Sequence, residues 1–192
     1  MDDGDLLRAC ARGDTYALQQ LHQRHAAAAY AFARRVCGHD DDADDAVAEA
    51  FVELWRQAGR FAGQSSVRTW LLGIVRHKAL DALRRRDPAA SLDDEDDPID
   101  LPDPGDGPYE QLAQKQQAEV LIACLEQLPP PQRECLHLAL QEGLRLSDIA
   151  RIQGVPDNTV ATRIHHAKRK LRDCVARALG LKNPAAGNDS PA

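Results

Sequence analysis

A helix-turn-helix pattern in residues 146–171 restricts the fold of this chain more than any other feature of its sequence. Two helices can cross closely only where the first offers a small side chain, and Ala150 provides it. The turn needs a residue that tolerates a left-handed backbone, and the second helix must bury an apolar side chain against the first. Gly154 and Val160 meet these needs at the right spacing, so the sequence predicts two crossed helices.

The second of these helices is amphipathic. Its apolar residues recur after Val160 at Ile164, Ala167, Leu171 and Cys174. Its opposite face contains no acid between Ala161 and Arg172 and carries Asn158, Thr162, His165, Lys168 and Arg169, with Arg163 close by. A polar, basic face of this kind suits the major groove of DNA. The alternative is a solvated helix on an all-α core.

The formal net charge of −6 conceals an uneven distribution. Residues 87–108 contain nine acids and neither Lys nor Arg, whereas residues 68–86 and 161–177 each carry a net charge of +5. Two basic helices separated by an acidic segment are therefore compatible with nucleic-acid binding despite the negative total.

Composition and periodicity predict an all-α chain of two small helical domains. Aromatic residues make up only 4% of the sequence, and no strand-like alternation stands out. We predict domains at residues 1–86 and 109–180, an acidic, proline-rich flexible linker at 87–108 and a disordered tail at 181–192. Helix signals place a first helix near Asp5–Arg12, a cap at Asp14, a helix end at Gly38, Trp70 in the core and a cap at Ser147.

The five cysteines form no CxxC pair and are predicted to be mostly buried structural thiols, with a redox or metal role as the alternative. No Cys or carboxylate lies at ligand spacing with the histidines, so we expect neither a metal nor a cofactor. No apolar run approaches the ~18 residues that span a bilayer, and the acidic N-terminus is unlike a signal peptide. We therefore expect a cytoplasmic protein.

Three segments together resemble regions 2 and 4 of bacterial sigma factors. They are DDADDAVAEAFVELW, FAGQSSVRTWLLGIVRHKALDALRRR and LPPPQRECLHLALQEGLRLSDIARIQGVPDNTVATRIHHAKRKL. The chain resembles the small extracytoplasmic-function (ECF) group of the sigma-70 family over roughly residues 5–178. This resemblance implies a factor that binds core RNA polymerase, reads the −35 and −10 promoter elements, helps to melt the duplex and is controlled by an anti-sigma factor.

The resemblance also implies roles for individual residues. Docking on core polymerase is assigned to Asp44, Asp45, Glu49, Phe51, Val52 and Trp55. Recognition of the −10 element is assigned to the loop and long helix, through Phe61, Ala62, Gly63, Gln64, Ser65, Ser66, Arg76, His77, Lys78, Arg84 and Arg85. Recognition of the −35 element is assigned to Asn158, Ala161, Thr162, Arg163, His165, His166, Lys168 and Arg169.

Three residues depart from the common family pattern. Ala48 stands where Gln is common, which leaves polymerase docking one polar contact short, while His77 replaces a common Asn and Ala161 a frequent basic residue. The main rival is a helix-turn-helix regulator that acts without polymerase, although such a protein has no need of an acidic docking helix. An enzyme is a distant third possibility, because the chain lacks a phosphate-binding glycine loop and an HExxH motif.

Overall fold

The structure, a computed structural model, describes residues 1–86 and 109–180, of which 109–117 are described by their backbone alone. The predicted linker and tail lie outside the described residues. All regular elements of the described residues are helical, as predicted. Eight are α-helices: α1 Asp3–Cys10, α2 Thr15–Cys37, α3 Asp40–Gln57, α4 Val67–Arg86, α5 Tyr109–Glu126, α6 Pro130–Leu140, α7 Leu146–Gln153 and α8 Asp157–Ala178.

The described residues fall into two compact units. The first unit contains residues 1–86 and 137–160, and the second contains residues 109–136 and 161–180. Helices α6 and α8 therefore each contribute to both units.

Local capping residues determine where the first helices begin and end. The Asp2 carboxylate accepts a hydrogen bond from the Asp5 backbone N–H at 2.7 Å, and the Asp5 carboxylate accepts one from Asp2. Helix α1 consequently begins at Asp3, earlier than the predicted Asp5. Asp14 caps α2 as predicted, and Gly38 ends it in the left-handed conformation at φ +79°.

Helices α2, α3 and α4 bury the main core of the first unit. Helix α3 buries one apolar face, formed by Ala43, Ala46, Val47, Ala50, Phe51 and Leu54. Phe32 of α2 and Val75 of α4 are fully buried in the same core. The prediction that Trp70 lies in the core is wrong, because its side chain is only half-buried and lines a cavity together with Ile74.

The helix-turn-helix forms as its spacing predicts. Gly154 has φ +68°, and the Val155 N–H donates to the Ala150 carbonyl across the turn at 3.1 Å. Val160 is fully buried and Ala150 is 5% exposed, as expected for the crossing point. The predicted Ser147 cap is wrong, because α7 begins one residue earlier and Arg145 occupies the capping position without a side-chain hydrogen bond.

The second unit contains an apolar cluster with contributions from α5, α6 and α8. Leu128, Leu136 and Ala167 are buried, and Leu125, Ile164 and Leu171 pack against them. Beside this cluster a disulfide joins Cys124 of α5 to Cys174 of α8, with their Cα atoms 5.8 Å apart.

The prediction that the cysteines are free structural thiols is confirmed for three of them and wrong for two. Cys10, Cys37 and Cys135 are free and buried. Cys124 and Cys174 do not stay free, because the packing of α5 on α8 brings them within bonding distance.

Candidate nucleic-acid interface

Helix α8 separates an exposed polar face from a buried apolar face. Six of the eight residues assigned to −35 recognition are exposed, namely Asn158, Ala161, Thr162, His165, Lys168 and Arg169. Arg163 and His166 are half-buried, and Val160 and Ala167 on the other face have no exposed surface. The helix therefore offers solvent a mostly polar strip along its first four turns.

The basic groups of this strip are available to a partner. Among the described residues, neither Lys168 nor Arg169 makes an ion pair. The rings of His165 and His166 lie 5.9 Å apart, with only His165 fully on the exposed face. This arrangement supplies unneutralised cations for phosphates next to polar side chains that can read base edges.

The loop before α4 is ordered by its own side chains. The Ser66 hydroxyl caps α4, because it accepts a hydrogen bond from the Thr69 N–H at 3.0 Å. It also lies 2.8 Å from the Thr69 hydroxyl. Phe61 packs against Trp70 with ring centroids 5.0 Å apart. Gly63 has φ +68°, and residues 62–64 are exposed. The exposed residues 62–64 therefore directly follow Phe61, which is held by its packing against Trp70.

A cavity of about 490 Å³ lies beside this loop, within the first unit. Its wall combines two residue sets that the sequence did not connect, the −10 candidates Ser65, His77 and Lys78 and the α7 residues Arg151 and Ile152. The remaining lining residues are Glu53, Gln57, Thr69, Trp70, Gly73, Ile74 and Asp81.

The sequence did not predict that most of these residues line a common cavity. The one available signal was Gly73, which is unfavourable inside a helix and leaves open space where a Cβ would lie.

The basic residues of α4 are paired with carboxylates. Arg84 lies 3.5 Å from Asp81, and Arg86 lies 3.2 Å from Asp42. Glu49 lies 3.5 Å from the Lys78 ammonium and 3.8 Å from the Arg85 guanidinium. Residues assigned to DNA and a residue assigned to polymerase therefore contact each other on one surface. Arg76 is half-buried and also makes contacts inside the protein.

The face assigned to polymerase docking is acidic and apolar. Asp44, Asp45 and Glu49 are exposed, Val52 is 48% exposed and Trp55 is half-buried. Phe51 is buried instead and packs against His22 with ring centroids 4.7 Å apart. The exposed part of this face can therefore offer both carboxylates and apolar surface to a basic helical partner.

His137 is a buried titratable group of the first unit. Its ring stacks on Phe32 with centroids 5.7 Å apart. Burial lowers the pKa of His137 to about 4, and the nearby Arg35 acts in the same direction. His137 is therefore neutral at pH 7, so its approach to Glu142 at 3.7 Å is not an ion pair, and Glu142 pairs with Arg68 instead.

Comparison with known proteins assigns these features to one family. A model of sigma-70 region 2 matches residues 21–88, and a model of sigma-70 region 4 matches residues 118–171. The ECF RNA polymerase sigma factor SigM of Mycobacterium tuberculosis is 34% identical over 183 residues, which cover 94% of this chain and 86% of SigM. The chain belongs to the ECF RNA polymerase sigma factors.

Other ECF sigma factors extend the likeness over the same length. SigE of Mycolicibacterium smegmatis is 32% identical over 177 residues, covering 87% of this chain and 66% of SigE. The solved structure of CnrH, in complex with the cytosolic domain of CnrY, matches with a TM-score of 0.66 at 25% identity. That match covers 91% of this chain and 97% of CnrH. None of the helices in the described residues is long and apolar enough to cross a membrane.

Proposed function

We propose that this ECF sigma factor binds core RNA polymerase and directs transcription initiation at promoters that carry both a −35 and a −10 element. The observation that carries the proposal is the division of α8, where Val160 is fully buried while Thr162 and His165 are exposed. A helix held in this way can enter a major groove without losing its packing.

In this proposal the −35 element is read by α8. Thr162 and His165 contact base edges, while Lys168 and Arg169 contact phosphates. Asn158, Ala161, Arg163 and His166 border the same contact. The structural support is that Asn158, Thr162 and His165 are exposed within the first three turns of α8, where a helix end enters the groove.

The −10 element is read by the loop before α4 and by the first turns of that helix. A base extruded from the duplex costs a few kcal/mol, which a pocket can offset by stacking and hydrogen bonds. The exposed Gly63 and Gln64 border such a pocket, and Phe61, Ser65 and Ser66 support it. The basic residues of α4, namely Arg76, His77, Lys78, Arg84 and Arg85, then follow the strand. Binding energy alone performs this step, so the protein needs no enzymatic activity.

Core polymerase docks on α3. Its carboxylates Asp44, Asp45 and Glu49 suit a basic helical partner, and Val52 with Trp55 adds apolar contact area. We assign promoter melting and polymerase docking to residues 1–86 and −35 recognition to residues 109–180, with 87–108 as the linker between them.

An anti-sigma factor is the further partner in this proposal. CnrH, which this chain resembles along almost its full length, was solved with the cytosolic domain of CnrY bound. We place the protein in the cytoplasm, where RNA polymerase acts.

Run-off transcription with purified core polymerase tests the proposal. We expect a promoter-dependent product from the promoter of the protein's own operon, and loss of that product when Val160→Asp disrupts the helix-turn-helix. Thr15→Ala, at the exposed start of α2, is the control and keeps full activity. Tight DNA binding without measurable affinity for core polymerase would instead identify a regulator that acts alone.

A further inference from the structure

The disulfide between Cys124 and Cys174 has no part in the proposed recognition of DNA or polymerase. It joins α5 to the C-terminal part of α8 and closes a segment with a sequence separation of 50 residues. The other three cysteines are buried and free, so this is the one cysteine pair that the described fold brings together. One end of this disulfide, Cys174, lies on α8, the same helix that carries the −35 interface.

Apolar packing in the second unit joins α8 to α5 and α6. Ala167 is buried with Leu128 and Leu136, and Leu125, Ile164 and Leu171 pack against them. A disulfide adds to such packing by restricting the unfolded chain, and it does so more as the closed segment lengthens. The bond therefore adds to the stability of the α5–α8 pair.

The setting of an ECF sigma factor makes this bond unusual. Core RNA polymerase is in the cell interior, where thiols are kept reduced and disulfides are mostly transient or redox-sensing. We propose that Cys124 and Cys174 form a reversible thiol–disulfide couple whose oxidation holds α8 in its DNA-reading position. This inference rests on the proposed −35 function of α8.

The two sulfur atoms differ in solvent exposure, and this difference determines which of them an external thiolate attacks first. Cys124 is 3% exposed and Cys174 is half-buried. A thiolate of a low-molecular-weight thiol attacks the Cys174 sulfur, forms a mixed disulfide there and releases the Cys124 thiolate, which takes up a proton. A second thiolate attacks the outer sulfur of that mixed disulfide and releases Cys174.

The net reaction converts two external thiols into one external disulfide and reduces the protein bond by two electrons and two protons. A low-molecular-weight disulfide such as oxidised glutathione drives the reverse reaction.

The full chain, equilibrated in glutathione buffers of graded thiol-to-disulfide ratio, tests the proposal. Mass spectrometry after alkylation counts the free thiols, thermal unfolding gives Tm, and fluorescence anisotropy gives the affinity for a duplex from the protein's own promoter. We expect five free thiols in the reduced chain and three in the oxidised chain. Reduction lowers the Tm of the α5–α8 pair by about 10 °C or more, and it weakens DNA binding about tenfold.

Variants assign these effects to the pair. The double variant Cys124→Ser with Cys174→Ser behaves like the reduced wild type in every buffer. Cys37→Ala, which removes a buried free thiol from the first unit, retains the full redox response.

Four outcomes decide the matter. Five free thiols in every buffer, or a bond that forms while Tm and DNA affinity stay constant, overturn the proposal. DNA binding that is equally tight in both forms also overturns it. If Tm responds to redox buffer but neither form binds the duplex, the couple is supported and the proposed −35 function fails.

Discussion

Helices α4 and α8 carry the same net charge in sequence but expose it differently in the structure. Each contributes a segment with a net charge of +5. Four cations of α4, Lys78, Arg84, Arg85 and Arg86, lie within 4 Å of carboxylates of α3 or α4. Lys168 and Arg169 of α8 make no ion pair among the described residues. The charge of a helix therefore does not reveal how much of that charge a nucleic acid can reach.

The histidines show the same contrast. His137 in the first unit is buried against Phe32 and neutral at pH 7, whereas His165 on α8 is exposed. The first unit encloses His137, while α8 presents His165 outward. We therefore expect a change at His137 to affect stability and a change at His165 to affect DNA binding.

The largest effect is expected from Lys168 and Arg169 of α8. Replacing both Lys168 and Arg169 by Ala should weaken binding of the full chain to a promoter duplex about 100-fold at low salt. The slope of log affinity against log salt should become shallower by about 2, because each lost phosphate contact contributes roughly 0.9. Fluorescence anisotropy across a salt series measures both quantities.

The matched control for this pair is on α4. Arg85→Ala with Arg86→Ala removes the same charge from residues that have carboxylate partners. We expect less than about a threefold loss on a −35 duplex. An equal loss in both double variants would show that only total charge matters and would remove the contrast between the helices.

The next effect concerns the stability of the first unit. The pKa of His137 is about 4 in the folded protein and roughly 6.5 in the unfolded chain. The neutral ring therefore contributes to the free energy of unfolding above pH 6.5, and this contribution is lost as the pH falls toward 4. Between pH 7 and pH 5 this loss amounts to about 2 kcal/mol. His137→Phe keeps a ring on Phe32 and should flatten the dependence by that amount in denaturant unfolding. His165→Gln changes an exposed side chain and should leave the pH dependence as it is in the wild type. Equal slopes in both variants would contradict the buried, neutral state of His137.

Local patterns were sufficient to predict the helices and much of their burial. The carboxylate at Asp14, the glycines at positions 38 and 154, and the apolar period of α3 each act within a few residues. The exposed face of α8 was predictable for the same reason, since Val160 defines the buried side.

Contacts between distant segments were not predictable from those patterns. Trp70 lies on the inward face of α4 by periodicity, but periodicity does not reveal that its side chain lines a cavity. The bond between Cys124 and Cys174 depends on how α5 aligns with α8, which no local spacing encodes. The pairing of Glu49 with Lys78 likewise requires the packing of α3 on α4.

A smaller effect is expected from the base-reading side chains of α8. Thr162→Ala and His165→Ala should each change discrimination at one base pair of the −35 element by about tenfold, or ~1.4 kcal/mol. Selection from a library randomised in the −35 element would reveal the position affected. Lys168→Ala should weaken all sequences alike and leave the preferred sequence unchanged. The assignment fails if both Thr162 and His165 variants select the wild-type sequence.

The smallest effect tests whether local counterions mask the cations of α4. Glu49→Gln removes the carboxylate beside Lys78 and Arg85 and should raise the affinity of the free chain for a single-stranded −10 oligonucleotide about threefold. Asp41→Asn changes the net charge equally at an exposed position on the same helix, so it should leave the affinity nearly constant. The measurement omits polymerase, because Glu49 is also proposed to dock on it. A gain of equal size in both variants would show that α4 responds to overall charge, and pairing with Glu49 would then have no part in masking it.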